Sequence, residues 1–190
     1  MSEDDNMGTI GWADVEDKSG YNLDMYFKLK KEEPKAKFRP LGDLYIFKKY
    51  MFQHNNRWRI AVCLNEETCP VANKHNIAPS VRYAINVIDR RDESIKILEM
   101  SIKVAKEIKV FFDKTGKKPG GTNGAQYTMS LSEYAGKWIY GASFAGPHTL
   151  SEEDLELIKK QGLYNLKKIY KATDPSEIEE VLFGDITGRQ

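Results

Sequence analysis

Through most of the chain, apolar and polar residues alternate with a period of two over short stretches, the pattern of half-buried strands. Residues 26–30 and 36–39 read as short strands either side of a turn at Glu32–Lys35, with Ala36 and Phe38 facing a core, Lys37 and Arg39 facing solvent, and Pro34 and Pro40 as ends. Residues 44–52 and 57–63 form the next pair, turned at His54-Asn55-Asn56. In the second of these, Trp58, Ile60 and Val62 fall on one side and Arg57, Arg59 and Ala61 on the other. Residues 81–89 and 94–100 make the clearest hairpin, joined by Arg90-Arg91-Asp92-Glu93, with Tyr83, Ile85 and Val87 on one face. Residues 125–131 and 137–144 supply two closing strands.

Helical spacing appears in two places. Ser101 caps a helix running to Asp113 whose apolar face is Ile102, Ala105, Ile108 and Phe112. Beyond Thr149, Ser151 begins a helical run through Leu155, Ile158, Leu163, Leu166 and Ile169, interrupted at Gly162. Asp174-Pro175-Ser176-Glu177 then resembles a capping box, opening a last helix that Gly184 ends. Strands first and helices last predict a mainly β fold with added helices, an OB-fold-like small β-barrel with C-terminal helices. The expected division is an acidic flexible arm over 1–25, an OB-like core over 26–148 and a helical extension over 149–190.

Charge sharpens this division. Residues 1–27 hold seven acidic groups and one lysine, residues 28–150 hold 22 basic and 12 acidic groups, and residues 151–190 hold six basic and nine acidic groups. A basic middle between acidic ends, within a net charge of only +1, suits a body that meets a polyanion. No apolar run approaches a membrane span, and Met1-Ser2-Glu3-Asp4-Asp5 lacks the apolar stretch of a secretory signal, so a cytoplasmic protein is expected.

Aromatic and basic residues interleave between Asp43 and Arg91, as a single-stranded nucleic-acid groove requires: cations track phosphates and rings stack on bases. The candidate phosphate contacts are Lys48, Lys49, Arg57, Arg59 and Arg82, with Lys117 and Lys118 on a mobile glycine-rich loop. The candidate stacking residues are Tyr45, Phe47, Tyr50, Tyr83 and Trp138. That loop, residues 116–124, lacks the Gly-Lys-Ser/Thr of a nucleotide-hydrolysing phosphate loop. No nucleophile–base or paired-carboxylate set appears, so an enzyme is not expected. His148 reads as a solvated loop residue.

His54, Cys63, Cys69 and His75 have the residue types of a tetrahedral zinc site, though their spacing is not that of a standard finger. The other reading of the cysteines is a pair of structural thiols.

The order His54, Cys63, Cys69-Pro70, then Asn86-Val87-Ile88-Asp89-Arg90 and Ile95-Lys96-Ile97-Leu98-Glu99, resembles phage single-stranded-DNA-binding proteins of the T-even helix-destabilising type. The segments from Leu150 through Leu163-Tyr164-Asn165-Leu166 to Leu182-Phe183-Gly184 are similar to smaller phage relatives. The resemblance implies an OB fold holding DNA single strands in replication, recombination and repair, with replication or recombination proteins as partners. Zinc-bearing members show Cys-Pro-x-Cys where this chain has Ala72, so zinc here would depend on His75. The basic N-terminal cooperativity motif and the long acidic C-terminal tail have no counterpart, and the resemblance does not carry cooperativity or tail-mediated recruitment. Single-stranded RNA binding and a protein-interaction or assembly module are the alternative functions.

Overall fold

The computed structural model describes residues 23–54, 57–63, 67, 69–73 and 76–178, with the backbone alone at 23, 52–54, 57–59 and 177. Six strands form one antiparallel sheet: β1 (Lys35–His54), β2 (Arg57–Cys63), β3 (Ser80–Asp89), β4 (Ser94–Ser101), β5 (Asn123–Tyr134) and β6 (Lys137–Thr149). The helices are α1 (Pro70–Asn73), α2 (Ile102–Thr115), α3 (Glu152–Gln161), α4 (Leu166–Ile169) and α5 (Pro175–Glu177). The mainly β reading with added helices is what the fold is. The strand path β4-β3-β1-β5-β6 is open, with β2 hydrogen-bonded to β1 alone. No helix among the described residues is long and apolar enough to cross a membrane.

The organising element is β1, 20 residues long. On one edge it pairs with β3. On the other it pairs first with β5, from Lys35 to Phe38, and then with β2, from Lys48 to His54. The sequence suggested two strands here with Pro40 as a break. Pro40 instead lies inside β1, just past Phe38 where the β5 ladder stops, and a missing N–H is tolerated at such an edge. The break shrinks to a register shift between Leu41 and Tyr45, where Gly42 takes φ +73°. Gly120 packs so closely on it that an added Cβ would stand 2.1 Å from the Gly42 carbonyl oxygen.

Alternation along the strands gives the sheet two buried faces. Phe38, Ile85, Val87, Leu98, Met100 and Tyr127 face α2, which buries Val104, Ala105, Ile108 and Phe111 against them. Ile102 and Phe112, expected on that apolar face, are exposed; the buried stripe runs through 104, 108 and 111 instead. Tyr127 reaches across to donate its hydroxyl hydrogen to the Ile108 carbonyl, and burial pushes its pKa up to about 12.

The second face is covered by the C-terminal helices. Leu41, Ile88 and Ile95 pack with Leu157 and Ile158 of α3, while Phe47, Ala84 and Ile97 pack with Leu166 and Tyr170. Polar clamps fix this docking. Arg90 grips Asp154 through two hydrogen bonds of 2.7 and 3.0 Å, and the Asn86 side chain both donates to and accepts from the Tyr164 backbone. Leu155 and Leu163 of the expected helical stripe are exposed.

Arg39, expected to face solvent, is fully buried. Its guanidinium donates to the carbonyls of Pro119, Gly121, Thr122 and His148, and so binds the glycine-rich loop to the sheet. Burial, the largest influence, lowers its pKa from the ordinary arginine value. His148, read as a solvated loop residue, is a half-buried part of β6. Its Nδ1 is shielded from water and lies 3.9 Å from an Asp154 oxygen.

Candidate nucleic-acid groove

Around the end of β4 the elements leave a cavity of about 760 Å³. Its lining comes from β1, β2, Arg82 of β3, the end of β4, the first turn of α2, Met129 of β5, residues 138–140 of β6, and Ile169 and Tyr170. Segment 26–28 runs alongside, bridging Tyr26 to Ile97 and donating the Phe27 N–H to the Ile97 carbonyl.

Four cations line the cavity: Lys28, Lys49, Arg82 and Lys103. They differ in how far their charge is already met. Lys49 forms a 2.8 Å ion pair with Glu99, the acidic residue of the lining. Lys28 lies 5.6 Å from the Tyr26 ring centre, within cation–π range. Arg82 has no ion pair or hydrogen-bond partner among the described residues, and its Nε is shut off from water. Lys103 is exposed in the first turn of α2.

Aromatic rings line the same cavity. Trp138 and Tyr140 lie two residues apart on β6, so they project from the same side of the strand, and each is 41% exposed. Lys31 sits 4.9 Å from the Trp138 ring centre. Tyr26, Phe27, Phe47 and Tyr170 complete the aromatic lining.

Of the residues the sequence nominated, Phe47, Lys49, Arg82 and Trp138 come together here. Phe47 cannot serve as a stacking platform, because it is 2% exposed with the Tyr170 ring stacked on it at 4.1 Å. Tyr45 is half-buried against the same pair. Tyr50 is 0% exposed among Ala61, Cys63, Val71 and Ile178, and is a core residue. Tyr83 packs on the core under α2, and Lys48 shares its side of the sheet, opposite Lys49. Arg57 and Arg59 pair with His54 and Phe52 through the backbone, and their side chains lie outside the described residues.

Lys117 and Lys118 stand apart from the cavity, and Lys118 pairs with Asp43 at 2.9 Å. Their loop, expected to be mobile, is held by Arg39 and by a 2.8 Å hydrogen bond from the Gly42 N–H to the Gly120 carbonyl. Sequence reasoning missed Lys28, Lys103 and Tyr140 as cavity residues. Tyr140 carried a signal, since it shares strand parity with Trp138.

The two cysteines of the zinc set, Cys63 and Cys69, are bonded to each other in a disulfide with Cα atoms 6.0 Å apart, so neither sulfur is free to act as a thiolate ligand. The side chain of His54 and all of His75 lie outside the described residues, and no group of potential metal ligands occurs among the described ones.

No protein-family model matches the chain, and no curated protein sequence matches it.

Proposed function

We propose that the chain binds single-stranded nucleic acid with little regard to sequence. The observation that carries the reading is one cavity in which exposed Trp138 and Tyr140 stand with Arg82, Lys103 and Lys28. Rings that accept any base and cations that accept any phosphate are the two components of such a site. DNA is the favoured substrate on the T-even-type resemblance, with protection of strands in phage replication, recombination and repair as the role. The handover of β1 from β5 to β2 along one edge supports an OB-like arrangement.

The test is a fluorescence titration with single-stranded DNA, single-stranded RNA and blunt duplex at two salt concentrations. Tryptophan quenching by single strands, weakening steeply with salt, is expected. Equal or tighter binding to duplex would overturn the reading.

A second reading, a protein-interaction module, draws on exposed apolar residues on the face of Tyr83. Ile46 is 58% exposed, Val81 is 41% exposed, and the two are near neighbours across the β1–β3 ladder. It predicts a discrete protein partner and no salt-dependent oligonucleotide binding.

A further inference from the structure

We infer that the acidic segment at residues 1–22 docks on the cations of the cavity within its own chain, and that a nucleic-acid strand must displace it. The docking stands on charge and connectivity. Its consequence, competition with a strand, rests on the nucleic-acid reading of the same cavity.

The cations gather on one side of the sheet. Arg82 is the register partner of Phe47 on β1 and of Ser101 on β4, so Arg82, Lys49, Glu99 and Ser101 share the face that the C-terminal helices partly cover. Tyr26 packs against the Phe47, Ile97 and Tyr170 cluster on that face, and Lys28 stands by the Tyr26 ring. Lys103 joins the lining from the first turn of α2, two residues beyond Ser101. Against these four cations the lining has one carboxylate, Glu99, already paired with Lys49. Arg82 has no partner among the described residues, and its Nε is shut off from water. A shielded donor without an acceptor is unfavourable, and a carboxylate relieves that cost by taking two hydrogen bonds from one guanidinium.

The chain carries the complementary segment next door. Residues 1–22 hold Glu3, Asp4, Asp5, Asp14, Glu16 and Asp17 against a single Lys18. Ile10, Trp12 and Val15 stand among these acids, which suits a lining that also exposes Ile60. Connectivity brings the segment to the cation face, because Met25 and Tyr26 pack there and Tyr26 is itself part of the lining. Asp14, Glu16 and Asp17 precede Tyr26 by twelve residues or fewer, a span of at most about 40 Å. A tether this short holds the acids at an effective concentration of about a millimolar, at which weak ion pairing populates a docked state.

The full chain is treated with a water-soluble carbodiimide, which couples carboxylates to amines in contact, and linked peptides are mapped by mass spectrometry. The Lys49–Glu99 pair, 2.8 Å apart, is the internal reference. Within the monomer, carboxylates of residues 1–22 should link to Lys28 or Lys103, and an oligothymidylate should suppress those links. A second chain carries amides in place of the six acids. It should bind the oligonucleotide about three- to tenfold more tightly at low salt, with the difference fading as salt rises. Glu152→Gln and Glu156→Gln together, on the exposed side of α3, should change affinity little. Unfolding midpoints establish that each variant is folded.

Three results overturn the docked arm and leave strand binding standing: no arm links where Lys49 and Glu99 do link, links that join two chains instead, or an affinity gain no larger than that of the α3 variant. Links that persist with the oligonucleotide saturating overturn the competition. If the links form and neither chain binds the oligonucleotide, strand binding falls and the docked arm remains.

Discussion

Tyr50 and Trp138 sit in similar surroundings, each an aromatic residue in a strand directly after a lysine, and burial gives them opposite roles. Tyr50 is closed in by the disulfide, Val71 and Ile178, whereas Trp138 lies open at the cavity. Trp138→Ala should weaken single-strand binding by about 1–3 kcal/mol, the usual range for a stacking ring, with little change in unfolding midpoint. Tyr50→Leu should cost about 2 kcal/mol of stability and leave the affinity of the folded protein unchanged. Urea unfolding and oligonucleotide titration on both variants separate the two effects, and unaltered binding by Trp138→Ala would sink the proposed stacking role. Period-two alternation cannot make this distinction, because helices cover part of each face of the sheet. On such a sheet parity says which residues share a side, and only the packing helices decide which of them stay open. Arg39 misled for the same reason. A charged residue alternating with Phe38 reads as solvent-facing, until loop carbonyls distant in sequence enclose it.

At the scale of elements, the β3–β4 hairpin and the extents of α2 and α3 were legible, since each is specified by local spacing and by its turn or cap residues. β1 was not, because Pro40 and Gly42 look like breakers unless it is known that β5 pairs only with the start of the strand. The docking of α3 is partly electrostatic. Its capping box joins Ser151 and Asp154, and the same Asp154 carboxylate receives Arg90 from the sheet. Burial alone would raise the pKa of that carboxyl, but the Arg90 guanidinium and the Ser151 backbone N–H outweigh it and hold it below the ordinary 3.8. With a folded-state pKa below the unfolded one, the stabilisation is present above the unfolded pKa and is lost as pH falls through the folded one. Asp154→Asn should therefore lower stability at neutral pH. The gap from the unsubstituted chain should narrow as pH drops below about 4. Urea midpoints across that range measure it, and a gap that stays constant would mean the charge on Asp154 contributes nothing.

Over the whole molecule, the cavity draws on all six strands, α2, the end of α4 and segment 26–28, so no window of sequence contains it. This is why Lys28, Lys103 and Tyr140 were passed over, while residues inside the aromatic–basic stretch were over-nominated. It is also why a count of lysines and arginines overstates the groove's pull on phosphates, since Glu99 already neutralises Lys49. Glu99→Gln removes the internal anion and releases Lys49 to a phosphate. Binding of single strands should tighten, and the fall of log K with log salt should steepen by about 0.7 for one added phosphate contact. Lys49→Gln alone should change the slope little, because that charge is already spoken for. In the Glu99→Gln background the same change should abolish the gain, a coupling that the double-mutant cycle isolates. If Glu99→Gln leaves both affinity and slope unaltered, strand phosphates do not reach Lys49. The nucleic-acid path would then bypass Lys49.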